Sequence, residues 1–100
     1  MSIEKGPWNV IHEEDEGLHY FFVNTPREST VAKCYNPDTA NFIASAPDMY
    51  EALRRALTFI ENGIEYGYIK MPDVDSGDPA LETPSIISKA LAKARGYEIE

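Results

Sequence analysis

The chain has 100 residues, 43% of them hydrophobic and 11% aromatic, which is enough material for one modest core. Its formal net charge of −8 opposes binding to duplex nucleic acid and to anionic lipid, because both repel a negative protein. No apolar stretch approaches the roughly 20 residues of a membrane span, and the single cysteine, Cys34, has no partner in the chain for a disulfide. We expect one domain, residues 1–100, without a secretory signal and in the cytoplasm.

Residues 1–36 are predicted to form a three-stranded antiparallel meander. Residues 8–11 and 18–23 are rich in β-formers and flank a polar turn, which indicates a hairpin. A second stretch of turn residues follows, and residues 30–35 are then predicted to form the third strand.

The second predicted strand is apolar on both faces. Successive side chains of a strand point to opposite sides of the sheet. They divide here into two sets, with Leu18, Tyr20 and Phe22 on one side and His19, Phe21 and Val23 on the other. A sheet covered on one face shows an alternation of apolar and polar residues that this strand lacks. Either the C-terminal helix or a second copy of the chain is expected to cover the other face, and we expect a homo-oligomer.

A kinked helix is predicted over residues 38–62. Asp38 is placed to cap its start, and Ser45 with Asp48 three residues later resembles a second capping box. The helix is therefore expected to bend or restart near 45–47. Apolar residues recur along it at spacings of three and four, which is typical of an amphipathic helix.

Beyond this helix the chain is acidic. Asn62-Gly63 is typical of a left-handed helix end, and residues 63–82 are predicted to form a long loop. Loops of about 20 residues are uncommon in compact domains and often carry function. Four apolar residues are expected to anchor the loop, and three carboxylates are expected to be exposed. The anchors are Tyr66, Tyr68, Ile69 and Met71, and the carboxylates are Asp73, Asp75 and Asp78.

A last helix is predicted over residues 83–96. Thr83 is expected to cap it, Pro84 occupies its first position, and Gly96 ends it. The predicted fold is thus α+β: an N-terminal three-stranded antiparallel meander, a kinked long helix and a short C-terminal helix.

Catalytic and metal-binding motifs are absent from the sequence. There is no glycine-rich phosphate loop, no nucleophile elbow and no paired-cysteine motif. His12, His19 and Cys34 fall on different predicted strands at spacings that match no zinc pattern. Residues 73–84 depart from a calcium loop at the glycine and at Pro84, which stands where a bidentate glutamate is required. We predict a binding protein, with no enzymatic activity, cofactor or metal.

Five residues are of the types that stack on a base and neutralise phosphate: Trp8, Asn41, Tyr50, Arg54 and Arg55. Each also has an ordinary structural role open to it. Strand aromatics usually lie in the core, an asparagine can bond a helix end, and exposed arginines pair with glutamates of the same helix.

Three segments together carry a family resemblance. Residues 6–10 have a proline-tryptophan opening, residues 40–53 have the pattern AN-x-IA-x-AP-D-x-x-x-AL, and residues 90–96 form a closing alanine-rich segment. In order and spacing they resemble a widespread family of small phage and prophage proteins, most of them uncharacterised. The acidic segment 63–82 departs from that pattern. The resemblance implies a phage accessory role in the infected bacterial host, with countering of a host defence system as the leading expectation.

Two mechanisms for such a role stay open. In the first, an oligomer sequesters a cyclic nucleotide signal; the chain's size and strand-then-helix order are similar to one class of Thoeris signal sponges. In the second, the acidic protein blocks a host defence effector or nuclease by presenting Asp73, Asp75 and Asp78 to a basic surface. A structural or assembly role in the phage is a third alternative.

Overall fold

The computed structural model describes residues 5–96. Its regular elements are strands β1 (Asn9–Asp15), β2 (Leu18–Asn24) and β3 (Thr30–Cys34), helices α1 (Pro37–Ala44), α2 (Ala46–Glu65) and α3 (Thr83–Ala94), and a 3₁₀ helix, Pro79–Glu82. The predicted α+β class is confirmed, with the meander first and the interrupted helix after it.

The contacts of the chain divide it into two compact units, with the boundary between Met49 and Tyr50 inside α2. The N-terminal unit contains the sheet and α1, and the C-terminal unit contains most of α2, the 3₁₀ helix and α3.

The sheet is antiparallel in the order β1-β2-β3. β1 and β2 are joined by Glu16 and Gly17, whose φ values of 51° and 82° are both positive. Two consecutive positive φ values match the right-handed twist of the flanking strands in a two-residue hairpin turn. Glycine takes this backbone freely, which is why the acidic turn ends on Gly17.

The core of the N-terminal unit lies on one face of the sheet, under α1. Val23 and Ala40 are fully buried, and Cys34 is 7% exposed. Partly buried side chains that include Trp8 and Phe21 pack against these three residues.

The opposite face of the sheet carries a second apolar surface, which we call the outer sheet face: Ile11, Leu18, Tyr20, Phe22, Lys33 and Tyr35. The register sets Ile11 opposite Phe22 and Phe22 opposite Lys33. Leu18 is 59% exposed and Tyr35 73% exposed. The second strand is therefore apolar on both faces, and α1 covers one of them.

The break between α1 and α2 falls at a single residue, Ser45. Its hydroxyl donates to the carbonyl oxygen of Asn41 at 2.9 Å, so the side chain bonds back into α1 and does not begin a capping box. The N-cap of α1 also differs from the prediction. Asn36 caps it by accepting from the amide of Asp38 at 2.7 Å, because Pro37 takes the first helical position.

The ends of α2 and α3 also differ from the prediction in detail. α2 continues past Gly63 to Glu65, and the left-handed residue that follows the helix is Gly67, with φ of 80°. Thr83 is the first residue of α3 and not its cap, since the 3₁₀ helix leads directly into it. Gly96, with φ of 86°, follows α3 as predicted.

Candidate functional site

The chain turns back on itself at the end of α2. The amide of Tyr66 donates to the carbonyl of Asn62 and that of Gly67 to the carbonyl of Ile64, which closes the last turn of the helix. The amide of Ile69 then donates to the carbonyl of Gly63 at 2.9 Å. This bond returns the segment after the helix to the helix surface.

Gly63 makes that return possible. A β-carbon at position 63 would lie 2.4 Å from Cδ1 and 2.7 Å from Cγ1 of Ile69, which is closer than real side chains approach. The glycine is therefore needed for space at this position, and the left-handed backbone is supplied four residues later.

An open cavity of about 390 Å³ lies where the chain returns. We call it the aromatic recess, and its lining is Phe59, Asn62, Gly63, Tyr66, Tyr68 and Ile69. The three rings stand in solvent: Phe59 is 73% exposed, Tyr66 69% and Tyr68 87%. Clustered exposed aromatic side chains of this kind mark protein-binding surfaces, because isolated monomers rarely leave such patches uncovered.

The positions of these residues differ from those predicted. Tyr66 and Tyr68 were expected to anchor the loop, but both rings are exposed, and Ile69 is the residue in contact with the helix. Phe59 was not singled out at all. Its signal was present, since it lies beside Ile60 but outside the apolar stripe, on the charged side of α2.

The stretch of sequence that forms most of the recess is rich in carboxylates. Residues 61–82 contain six carboxylates and one lysine, a formal charge of −5. Asp73 and Asp75 are exposed in a turn closed by the amide of Ser76, which donates to the carbonyl of Asp73 at 2.9 Å. Asp78 caps the 3₁₀ helix by accepting from the amide of Ala80 at 2.9 Å. All three predicted aspartates are thus exposed, and Asp78 also has a structural role as a cap.

The arginines of α2 are held by a glutamate of the same helix. Arg54 bonds Glu51 through two nitrogens, at 2.7 and 3.1 Å, and Arg55 bonds the same carboxylate at 3.1 Å. Arg55 is 78% exposed at its side chain. An anionic ligand at this position would have to displace Glu51 or share the two guanidinium groups with it.

This arrangement lowers the pKa of Glu51 from 4.5 to about 2, chiefly through the hydrogen bond from Arg54 and then through that from Arg55. Because the pKa is depressed in the folded state, the pairing stabilises the fold above the unfolded value of 4.5 and loses its effect as the pH falls towards 2. The group is exposed, so solvent screens the interaction and the gain in stability is small.

A carboxyl titration followed by NMR tests this arrangement. The midpoint of Glu51 is expected at about 2 in the wild type and closer to 4.5 in the Arg54→Ala, Arg55→Ala variant. Glu61, on the same helix, serves as the internal reference in both proteins. A wild-type Glu51 midpoint near 4.5 would show that the two arginines do not hold this carboxylate in solution.

The remaining predicted ligand residues are placed in both units. Trp8 packs against the core of the N-terminal unit, and its buried Nε1 has no hydrogen-bond partner within residues 5–96. Asn41 is exposed on α1, where its carbonyl accepts from Ser45. In the C-terminal unit, the hydroxyl of Tyr50 accepts a hydrogen bond from Nε of Arg95. Trp8 thus lies in the core, Tyr50, Arg54 and Arg55 have side-chain partners, and the bond at Asn41 is made by its backbone carbonyl.

The two histidines come together on the sheet. His12 Nε2 and His19 Nδ1 are 2.8 Å apart, and the His12 ring stacks on Phe21 at 4.7 Å between centroids. One ring donates and the other accepts. Across the described part of the chain, no group of three or more His, Cys, Asp and Glu residues is arranged to hold a metal ion.

None of the helices within residues 5–96 is long and apolar enough to cross a membrane.

Comparison with known proteins gives one finding. A family model described as Salmonella phage P22 protein Y8K6 matches residues 1–98, nearly the whole chain. No curated protein and no solved structure shows significant similarity to the chain.

Proposed function

The chain belongs to the family of Salmonella phage P22 protein Y8K6, and from this premise we propose that it is a phage accessory protein that binds a basic protein of the bacterial host. The binding site is the aromatic recess, and the outcome is the block of a host defence effector or nuclease. The family match agrees with the expectation of a small phage protein. The binding mode is argued from the recess.

The observation that carries the proposal is the exposure of Phe59, Tyr66 and Tyr68 around one cavity. Aromatic side chains contribute most of the binding energy in many protein interfaces, because they bury a large area at a small cost in conformational entropy. A side chain inserted by a partner would enter a cavity whose lining includes all three residues. The close contact and the backbone hydrogen bond between Gly63 and Ile69 form the base of the recess.

Charge sets the expected chemistry of the partner. The carboxylates of residues 61–82 give the segment that forms the recess a formal charge of −5. An apolar recess formed by an acidic stretch of chain is suited to a basic surface that carries an apolar side chain. Such complementarity raises the association rate and selects the partner, while the apolar centre supplies the affinity.

The second candidate is sequestration of a cyclic nucleotide, which the size and element order of the chain favour. It requires Arg54 and Arg55 to hold phosphate. Their shared bond to Glu51 counts against it, because the carboxylate competes with an anion for the same donors. This candidate ranks below protein binding for that reason.

Affinity purification from a bacterial host lysate tests the proposal. The bait is the wild type, the Phe59→Ser, Tyr68→Ser variant, or Phe42→Ser as a matched control, since Phe42 is a helical phenylalanine 70% exposed. We expect one host protein to be retained by the wild type and by the control but reduced at least about tenfold in the double variant. The retained host protein, once purified, should then bind the wild type more weakly as the salt concentration rises.

The same three proteins, together with Glu51→Gln, should be screened for melting-temperature shifts with a panel of cyclic nucleotides. A shift that Glu51→Gln enlarges would favour the second candidate, because the substitution frees both arginines. Equal retention of host proteins by the wild type and the double variant would refute the recess as the binding site.

A further inference from the structure

The outer sheet face lies in the N-terminal unit, away in sequence from the aromatic recess. Its aromatic rings surround one cation: Nζ of Lys33 lies 4.2 Å from the ring centroid of Tyr20, 5.9 Å from that of Phe22 and 5.8 Å from that of Tyr35. Tyr20 and Tyr35 also meet edge to face at 5.6 Å. These contacts order the rings into a continuous surface.

The charges of this face are separated across the sheet. Glu13 lies on β1 and pairs with Tyr20, so it shares the outer face, and Lys33 lies on β3 at the other edge. Both side chains are exposed, and no ion pair joins them in the described residues. One edge of the outer sheet face is therefore acidic and the other basic, with an apolar centre between them.

We propose that the outer sheet face binds a second copy of this chain, face to face, so that Lys33 of each protomer meets Glu13 of its partner. A two-fold axis parallel to the strands, running between the two sheets, places β1 of one protomer over β3 of the other. In this arrangement the acidic β1 edge of each protomer lies over the basic β3 edge of the other. The surface is therefore complementary to itself, as a two-fold interface requires. Strands of stacked sheets also stay within about 30° of one another.

The reach of the side chains fits this pairing. Glu13 and Tyr20 are directly opposite each other, and Nζ of Lys33 already lies over the Tyr20 ring. Lys33 itself lies opposite Phe22, one row along the sheet from Glu13 and Tyr20, so its side chain extends towards the row of the carboxylate that would face it. Stacked sheets lie about 10 Å apart, a distance that a lysine and a glutamate can bridge from opposite sides.

The area of the face sets the strength of the dimer. β1 and β2 have seven residues each, so the face measures roughly 24 Å along the strands and about 14 Å across three strands. The area enclosed by these two lengths is below the ~800 Å² that each partner buries in a stable interface. The dimer is therefore expected to be weak, with a Kd on the order of micromolar. The net charge of −8 adds little repulsion near physiological salt, since charges beyond about 8 Å are screened.

Sedimentation velocity of the full chain tests the proposal, over concentrations from about 5 to 500 μM chosen to bracket such a Kd. The variants are Lys33→Glu and Glu13→Lys, each measured alone and then mixed in equal amounts. Either variant alone sets like charges against each other twice in the dimer, so each is expected to stay monomeric. Their mixture restores both pairs of opposite charges and is expected to form a heterodimer with about the wild-type Kd.

Circular dichroism of each variant shows whether it is folded. Both positions are exposed, so wild-type spectra and melting are expected. A wild type that is monomeric throughout the range would overturn the proposal, as would a dimer that persists in both single variants. A mixture of folded variants that does not associate would also overturn it, because the proposed pairing restores both opposite-charge contacts in the mixture.

Discussion

Val23→Asp is expected to unfold the N-terminal unit at neutral pH. Val23 is fully buried in β2 and belongs to the core cluster with Cys34 and Ala40. An aspartate there removes apolar contacts and buries a carboxylate in an apolar cluster that offers it no opposite charge. The expected cost is about 4 kcal/mol or more, against a total stability of roughly 5–15 kcal/mol for a domain.

The fluorescence of Trp8 measures this effect. It is the single tryptophan of the chain and packs against the same core cluster, so urea unfolding followed by its emission reports on this unit. Leu18→Asp is the matched control, since Leu18 lies on the same strand and is 59% exposed on the outer sheet face. The control is expected to change stability by about 0.5 kcal/mol or less. An equal loss of stability in both variants would contradict the assignment of Val23 to the face of the sheet that α1 covers.

Gly63→Val is expected to dismantle the aromatic recess. A side chain at position 63 enters the space of Ile69, with the β-carbon alone 2.4 Å from Cδ1. Ile69 must then move away and give up the bond from its amide to the carbonyl of residue 63. Overpacking of this kind costs about 1–3 kcal/mol, and here it also separates the rings that line the cavity.

Hydrogen exchange of the Ile69 amide is the measurement. Its rate is expected to rise at least about tenfold in Gly63→Val, which corresponds to about 1.4 kcal/mol of lost protection. Ala52→Val adds a β-branched side chain at an exposed position of the same helix, so it carries only the propensity cost of about 0.5 kcal/mol or less. Unchanged Ile69 exchange in Gly63→Val would show that the return onto the helix does not need the glycine.

The errors in the predicted caps of α1 and α2 share one physical cause. Asn36 and Asp38 both carry a side-chain oxygen able to cap a helix, and Ser45 can bond forward into α2 or back into α1. Residue type alone does not separate these options, because they differ by fractions of a kcal/mol. Gly63 was expected to end α2 for its backbone freedom, whereas the structure uses its lack of a side chain.

The site was less predictable than the fold. Asp73 and Asp75 were expected to be exposed and they are, because an acidic run has no other stable place. Tyr66 and Tyr68 were expected to anchor the loop, although tyrosine is common both in cores and at interfaces. Which of the two applies depends on where the chain returns after α2, and that is decided by the contact between Gly63 and Ile69.

The sequence by itself determined the α+β class, the order of strands and helices, the break near residue 45 and the apolar character of both sheet faces. These features depend on periodicity and on turn residues, which act within a few positions along the chain. Only the tertiary structure decided that α1 covers the Val23 face and that Lys33 lies among Tyr20, Phe22 and Tyr35. Those outcomes depend on space and on competition between partners, which a linear pattern does not contain.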